Sequence, residues 1–153
     1  MKKLLVVLAS VLLIAGTASA GIGVGGGWGV RGLEAQVEMG LGGMDIQGEV
    51  IFWPYLSFGG NVILRPLPSL MDGKITPYFG GGAIFQPATT FMTFTTQPNI
   101  LWVGGKGGVE YKLTDNIIAY GGYGFYYPII LETGWLAWPS YGPEGGIRFM
   151  LVP

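Results

Sequence analysis

The chain has 153 residues, a formal net charge of −1, 11% charged residues and a mean hydropathy of +0.48, and it contains no cysteine and no histidine. Ordinary soluble domains carry about 25% charged residues, so this composition does not suit a fully water-facing surface. The charge gives no indication of nucleic acid binding, and the missing cysteine excludes a disulfide scaffold. Without imidazole or thiolate groups, the usual catalytic bases, thiol nucleophiles and transition-metal clusters are excluded, and no cofactor is indicated.

Residues 1–20 have the layout of a cleavable secretory signal peptide. Two lysines precede an apolar run, Leu4–Gly16, and the segment closes on Ala-Ser-Ala, which is the order such peptides show. The run is shorter than the roughly 20 residues of a spanning helix, so an uncleaved anchor is the less favoured interpretation. We expect cleavage before Gly21, export, and one mature domain over residues 21–153.

The mature chain alternates between apolar and polar residues. The stretch MDIQGEVIF, residues 44–52, is typical of a β-strand, because successive side chains of an extended chain point to opposite faces. Its two faces are Asp45, Gln47 and Glu49 against Met44, Ile46, Val50 and Phe52. Turn signals separate similar segments. In chain order, the candidate strands are 21–30, 33–41, 44–52, 56–65, 74–85, 101–112, 116–127 and 144–151.

Eight such segments predict a closed membrane barrel. After residue 20 no apolar run approaches the roughly 18 residues of a spanning helix, so a membrane protein of this composition must cross with strands. Eight is the smallest usual strand number for outer-membrane barrels, and the segments are near the 9 to 11 residues that a tilted strand needs. The predicted fold class is therefore all-β, an eight-stranded antiparallel up-and-down transmembrane β-barrel in the outer membrane.

The polar face consists largely of glycine with isolated charges, which suits a crowded lumen better than a solvated exterior. The interior of an eight-stranded barrel is only wide enough for side chains to fill it, and buried charges must be paired or solvated. We expect a polar lumen network with the apolar faces turned toward lipid, and Arg31 as a further candidate member. The predicted network is Glu34, Glu38, Asp45, Glu49, Asn61, Arg65, Lys106, Glu110, Lys112, Glu144 and Arg148.

Aromatic residues near the predicted strand ends indicate two girdles at the membrane interfaces. Their enrichment also fits the general preference of aromatic residues for strands. With periplasmic termini, the outer girdle would comprise Trp28, Trp53, Tyr55, Phe85, Trp102, Tyr126, Tyr127 and Tyr141. The periplasmic girdle would comprise Tyr78, Phe79, Tyr111 and Phe149.

Two predicted outer loops hold apolar residues that could meet a ligand or partner. PIILETGWLAWPS carries Trp135, Leu136 and Trp138, and QPATTFMTFTTQPN carries Phe91, Met92 and Phe94. An alternative for the first is that the seventh and eighth strands extend and these residues belong to the outer girdle.

PYFGGGAIF (77–85) and GGKGGVEYKLTDNIIAYGGYGF (104–125) resemble small outer-membrane β-barrel proteins of the OmpA, OmpX and OmpW-like type. The resemblance implies a lipid bilayer and the outer-membrane assembly machinery as partners. Such barrels usually end on an aromatic residue, whereas this chain ends IRFMLVP and keeps only the alternation of Ile147, Phe149 and Leu151.

Three functions remain open from the sequence. We expect a non-catalytic barrel with a largely plugged lumen, acting in membrane structure or surface interaction. The OmpW-like resemblance implies an alternative, a barrel that transports or binds apolar small molecules. A further alternative is a soluble secreted barrel that binds an apolar ligand, which inverts the faces and requires Asp45, Gln47 and Glu49 to face solvent.

Overall fold

The computed structural model describes residues 21–41, 44–53, 55–88, 98–131 and 137–152, and the predicted signal peptide lies outside these ranges. The described chain forms eight β-strands, in which period-two alternation sets the two faces. They are β1 (Ile22–Gly29), β2 (Gly32–Gly40), β3 (Met44–Trp53), β4 (Ser57–Leu64), β5 (Ile75–Gln86), β6 (Ile100–Lys112), β7 (Ile117–Ile130) and β8 (Ser140–Val152).

Each strand pairs antiparallel with the next, and β1 also pairs with β8, so the sheet closes into an up-and-down barrel. The predicted all-β, eight-stranded antiparallel barrel is confirmed. Closure matters physically because it leaves no strand edge with unpaired backbone groups. None of the described ranges forms a helix that is long and apolar enough to cross a membrane.

The two ends of the barrel differ in their connections. At one end, called here the terminal end, lie both ends of the barrel chain and the connections 41–43, 65–74 and 113–116. At the other, the loop end, lie the turn at 30–31 and the connections 54–56, 87–99 and 131–139. Most of the predicted loop around Phe91, Met92 and Phe94 lies outside the described residues.

The strands β7 and β8 extend further toward the loop end than the sequence indicated. β7 continues to Ile130 instead of ending at residue 127, and β8 begins at Ser140 instead of residue 144. Pro128 lies within β7 opposite Trp102, although proline usually marks a strand end because it lacks an N–H donor. The extension of these two strands is therefore confirmed for their described residues, whereas Trp138 lies in the connection between them, outside both strands.

Alternate residues along every strand point into the barrel. On β2, the buried Glu34, Gln36 and Glu38 alternate with exposed or half-buried apolar residues, and on β3 Gln47 and Glu49 do the same. The outward positions of all eight described strands hold only aliphatic residues, methionine, glycine, proline and aromatic residues. No charged side chain lies on the outer face of these strands, so the outer face is apolar and the charged side chains of the strands have inward positions.

Glycines on the inward face of β1 make room for long side chains from other strands. A Cβ atom on Gly27 would lie 2.7 Å from the hydroxyl oxygen of Tyr120, and one on Gly23 would lie 2.7 Å from Cδ of Arg148. The backbone of β8 is equally close: a Cβ atom on Gly27 would lie 2.7 Å from Cα of Gly146, and one on Gly25 would lie 2.6 Å from the carbonyl oxygen of Ile147. Real Cβ atoms do not approach other atoms so closely. The inward glycines of β1 therefore avoid clashes both with β8 and with the side chains that cross the interior.

Candidate functional site: the barrel interior

A cluster of five charged side chains crosses the interior at the terminal end. Arg148, on β8, places Nη1 2.8 Å from Oε1 of both Glu38 and Glu110. Arg65, which directly follows β4, donates from Nε and Nη2 to the two carboxylate oxygens of Glu110 at 2.8 and 2.7 Å and from Nη2 to Glu38 at 2.8 Å. Arg65 also pairs with Asp45 of β3. The cluster thus ties together five strands or strand ends.

The terminal-end cluster combines three carboxylates with two guanidinium groups and is largely shielded from water. Arg148 is 3% exposed and its two carboxylate partners 5% each. Desolvated charges are strongly unfavourable unless paired and hydrogen-bonded, and the two-pronged Arg65–Glu110 contact has the geometry that guanidinium groups favour. A cavity of about 150 Å³ adjoins the cluster.

The middle of the interior holds three more acids and one lysine. Lys106 Nζ lies 3.5 Å from Oε2 of Glu49. The Tyr120 hydroxyl donates to Glu34 Oε1 at 3.3 Å, and the Tyr78 hydroxyl donates to Glu144 Oε1 at 2.7 Å. Tyrosines from β5 and β7 therefore provide hydrogen-bond donors to the two carboxylates without a lysine partner.

Amide side chains link the middle level across β2, β3 and β4. Gln47 donates to Gln36, and Asn61 Nδ2 donates to Gln47 Oε1 at 3.4 Å. The hydroxyl of Tyr126 donates to Asn61 Oδ1 at 3.3 Å. These amides form a neutral polar layer on the wall that faces the tyrosines.

At the loop end the interior becomes apolar and is covered by one arginine. Arg31, from the β1–β2 turn, stacks its guanidinium 3.6 Å from the ring centroid of Trp102 and donates to Gln86. Burial lowers the pKa of Arg31 to about 10, so it remains charged at neutral pH. Beneath it lies an apolar cluster: Ile51, Ile84, Ile100, Trp102 and Tyr126.

The structure places most of the predicted lumen network inside the barrel. Glu34, Glu38, Glu49, Asn61, Lys106, Glu110, Glu144 and Arg148 are buried, and Asp45 and Arg65 are half-buried. Lys112 is a correction: its side chain is 48% exposed and pairs with Asp115 at 2.9 Å. Lys112 occupies one of the alternate positions of β6 that point inward, but it is the last residue of the strand, so its side chain extends beyond the lumen.

Three residues of the predicted girdles point inward instead. Tyr78, Trp102 and Tyr126 are 3%, 6% and 3% exposed, so their expected lipid-facing position is wrong. Tyr78 adjoins Phe79, and Tyr126 adjoins Tyr127. Adjacent residues of a strand face opposite sides, so only one member of each pair could be outside.

The other predicted girdle residues are exposed, with the exception of Tyr55. Tyr55 is half-buried near the loop-end rim. Trp138 is strongly exposed at the loop end, whereas Trp135 and Leu136 lie outside the described residues. The exposed girdle residues are Trp28, Trp53, Phe79, Phe85, Tyr111, Tyr127, Tyr141 and Phe149.

Several interior groups were not singled out by the sequence. Gln36, Gln86 and Tyr120 all lie inside. The sequence signal that could have found them is that they occupy the same set of alternate positions, or pair with the same inward face, as the acids of their own or the neighbouring strand. Among the described residues no group of three or more acidic, histidine or cysteine side chains could hold a metal ion.

Comparisons with protein-family models and with curated proteins find no match for this chain.

Proposed function

We propose that this chain is an exported, non-catalytic outer-membrane β-barrel with a largely plugged lumen, which acts in membrane structure or surface interaction. The observation that carries the proposal is the outer face of the described strands, which has no charged side chain. A water-facing barrel would expose a mixture of charges, whereas a lipid-facing barrel needs an apolar outer band.

The height of the apolar surface fits a bilayer. On β6, the outward residues run from Leu101 near the loop end to Tyr111 near the terminal end. Ten residues at about 3.4 Å each, tilted by about 40°, span about 25 Å along the barrel axis, which is the height of the lipid band in such barrels. Exposed aromatic residues lie toward both ends, for example Trp53 and Phe149.

The interior supports a plugged barrel. Paired charges at the terminal end, tyrosine–carboxylate contacts in the middle and an apolar cluster at the loop end occupy successive levels. A soluble barrel with inverted faces would need Gln47 and Glu49 on the outside, yet they are 2% and 4% exposed. The burial of these two residues argues against that alternative.

Export and membrane assembly complete the proposal. The layout of residues 1–20 supports a signal peptide, and the resemblance of residues 77–85 and 104–125 to OmpA, OmpX and OmpW-like proteins implies the outer-membrane assembly machinery as a partner. The proposal predicts that the mature protein begins at Gly21.

Binding of an apolar small molecule is a second candidate function. It is favoured by one observation, the apolar cluster beneath Arg31 at the loop end. In this second candidate function, the apolar molecule binds at the loop end of the barrel. It does not pass through the bore, because ion pairs cross the bore at the terminal end.

Fractionation and conductance test the leading proposal. When the full chain is expressed, its mature form should begin at Gly21, appear in the outer-membrane fraction and require detergent for extraction. The purified barrel should give no steady conductance in planar bilayers. Recovery as a detergent-free soluble protein would contradict the membrane assignment, and steady open channels would contradict the plug. Saturable binding of an apolar fluorescent dye, lost in Trp102→Ala but retained in the outward variant Val103→Ala, would support the second candidate.

A further inference from the structure

The connection between β4 and β5, residues 65–74, exposes apolar side chains at the terminal end. Leu67, Leu70 and Met71 are 51%, 55% and 68% exposed. Turn residues are most often glycine, proline, asparagine, aspartate or serine, and this connection adds three large apolar residues to the prolines, Ser69, Asp72 and Gly73 that it also contains. The exposed apolar residues therefore need an explanation other than turn formation.

The hairpin holds Leu70 in line with the outer face of the barrel. Leu70 and Ile75 exchange backbone hydrogen bonds, with N···O distances of 2.7 Å from Leu70 N and 3.1 Å from Ile75 N. Residues directly opposite each other in an antiparallel pair project to the same face. Ile75 has the outward parity of β5 and pairs with Tyr111, which is exposed on the outer face of β6.

The neighbouring residue confirms this orientation. Ser69 Oγ lies 2.9 Å from Thr76 Oγ1, and Thr76 has the inward parity of β5. Ser69 is therefore on the opposite side of the ladder from Leu70. The row Leu70–Ile75–Tyr111 continues the apolar outer surface beyond the end of β4.

The tip of the hairpin has an unfavourable backbone that its contacts hold in place. Met71 and Asp72 have φ values of 51° and 56°, in the left-handed region that residues other than glycine seldom adopt. Lys74 N donates to Met71 O at 3.2 Å, and Lys112 N donates to Lys74 O at 2.8 Å. The hairpin is thus tied to β6, which keeps Met71 exposed next to Leu70.

We propose that this hairpin is an interfacial anchor, in which Leu70 and Met71 insert into the lipid leaflet at the terminal end of the barrel. The occupant is lipid because Leu70 is continuous with the apolar outer face through Ile75 and Tyr111. Lys74 and Lys112 are exposed at the same end, at the level where lipid phosphates would lie. The inference rests on the proposed membrane function.

The test uses single cysteines, which the cysteine-free chain makes unambiguous. Leu70→Cys, Ser69→Cys and Phe79→Cys are labelled with an environment-sensitive fluorophore, and each barrel is folded into phosphatidylcholine–phosphatidylglycerol vesicles. Brominated lipids and aqueous iodide then report contact with lipid and with water. Met71→Cys serves as a second reporter if Leu70→Cys does not fold.

Phe79, on the outer face of β5, is the control for the membrane proposal itself. The anchor predicts blue-shifted emission and loss of emission with brominated lipids at positions 70 and 79, and quenching by iodide at position 69. Lipid contact at 79 with iodide quenching at 70 would overturn the anchor and leave the membrane barrel standing. Protection of position 70 from both quenchers would overturn it in favour of a protein contact, and iodide quenching at 79 would contradict the membrane proposal.

Discussion

Replacing Arg148 by methionine removes one of two cations that neutralise the terminal-end cluster. Arg148 contacts Glu38 and Glu110 at 2.8 Å each and is 3% exposed. In the variant, three carboxylates would share Arg65 alone. Methionine keeps much of the side-chain volume, so the main change is the loss of charge and hydrogen bonds.

The expected cost follows from the burial of the pair. Removing one partner of a buried ion pair destabilises a protein by about 3 to 5 kcal/mol, because the other charge remains desolvated. Since Arg65 still contacts both Glu38 and Glu110, we expect the lower end, about 3 kcal/mol. The double variant Arg148→Met/Glu110→Gln restores the original net charge of the cluster, because two acids then face one cation. We therefore expect it to be more stable than the sum of the two single variants predicts, by a coupling energy between the two positions of about 2 kcal/mol.

Equilibrium urea unfolding of the barrel in lipid vesicles measures both values. The matched control is Lys112→Met, since Lys112 and Asp115 form an exposed ion pair at the same end, and its loss should have little effect on the free energy of unfolding. The hydrogen bond and attraction of Lys112 lower the pKa of Asp115 without burying either group. Equal costs for Arg148→Met and Lys112→Met would refute the assignment of a buried charge network.

Two further predictions concern the two faces of the wall. Gly27→Ala should reduce the folded yield because its Cβ would clash with the backbone of Gly145 and Gly146 on β8 and would lie 2.7 Å from the Tyr120 hydroxyl oxygen. Gly48→Ala should fold normally because nothing lies within 4 Å of its added Cβ. Gel mobility before and after heating would compare the two variants, and equal folded yields would contradict the packing argument. Val62→Lys, on the outer face of β4 two residues before the strand ends, should cost about 2 kcal/mol in vesicles, the low end of the range for the bilayer midplane. Thr114→Lys in the β6–β7 turn should have little effect on urea unfolding. A neutral Val62→Lys would argue against lipid contact.

The strand number and the faces could be predicted because they depend on a local pattern. On β2 and β3, each acid alternates with an apolar residue, and the same alternation sets which side is buried. The boundaries of β7 and β8 could not be predicted as well, because the sequence between residues 127 and 144 does not alternate regularly and contains three prolines. Pairing with β6 and with each other extends these strands, and that pairing is a tertiary effect.

The roles of the aromatic residues could be predicted only in part. Aromatic side chains suit both a lipid interface and the packed lumen of a small barrel, so composition near strand ends does not distinguish Phe79 from Tyr78. The alternation of inward and outward positions along each strand does distinguish them, and it would have placed Tyr78 and Tyr126 inside. The stacking of Arg31 on Trp102 depends on how a turn folds over the bore, which no local pattern records.

The most direct test of the membrane barrel places single cysteines at Gln47 and Val50 on the same strand. Gln47 is 2% exposed and Val50 is 39% exposed on the outer face. In vesicles, a fluorophore at position 50 should be quenched by lipid-phase quenchers, and position 47 should not. If position 47 instead reacts freely with a membrane-impermeant thiol reagent while position 50 is shielded in a protein that needs no detergent, the faces are inverted and the account is contradicted.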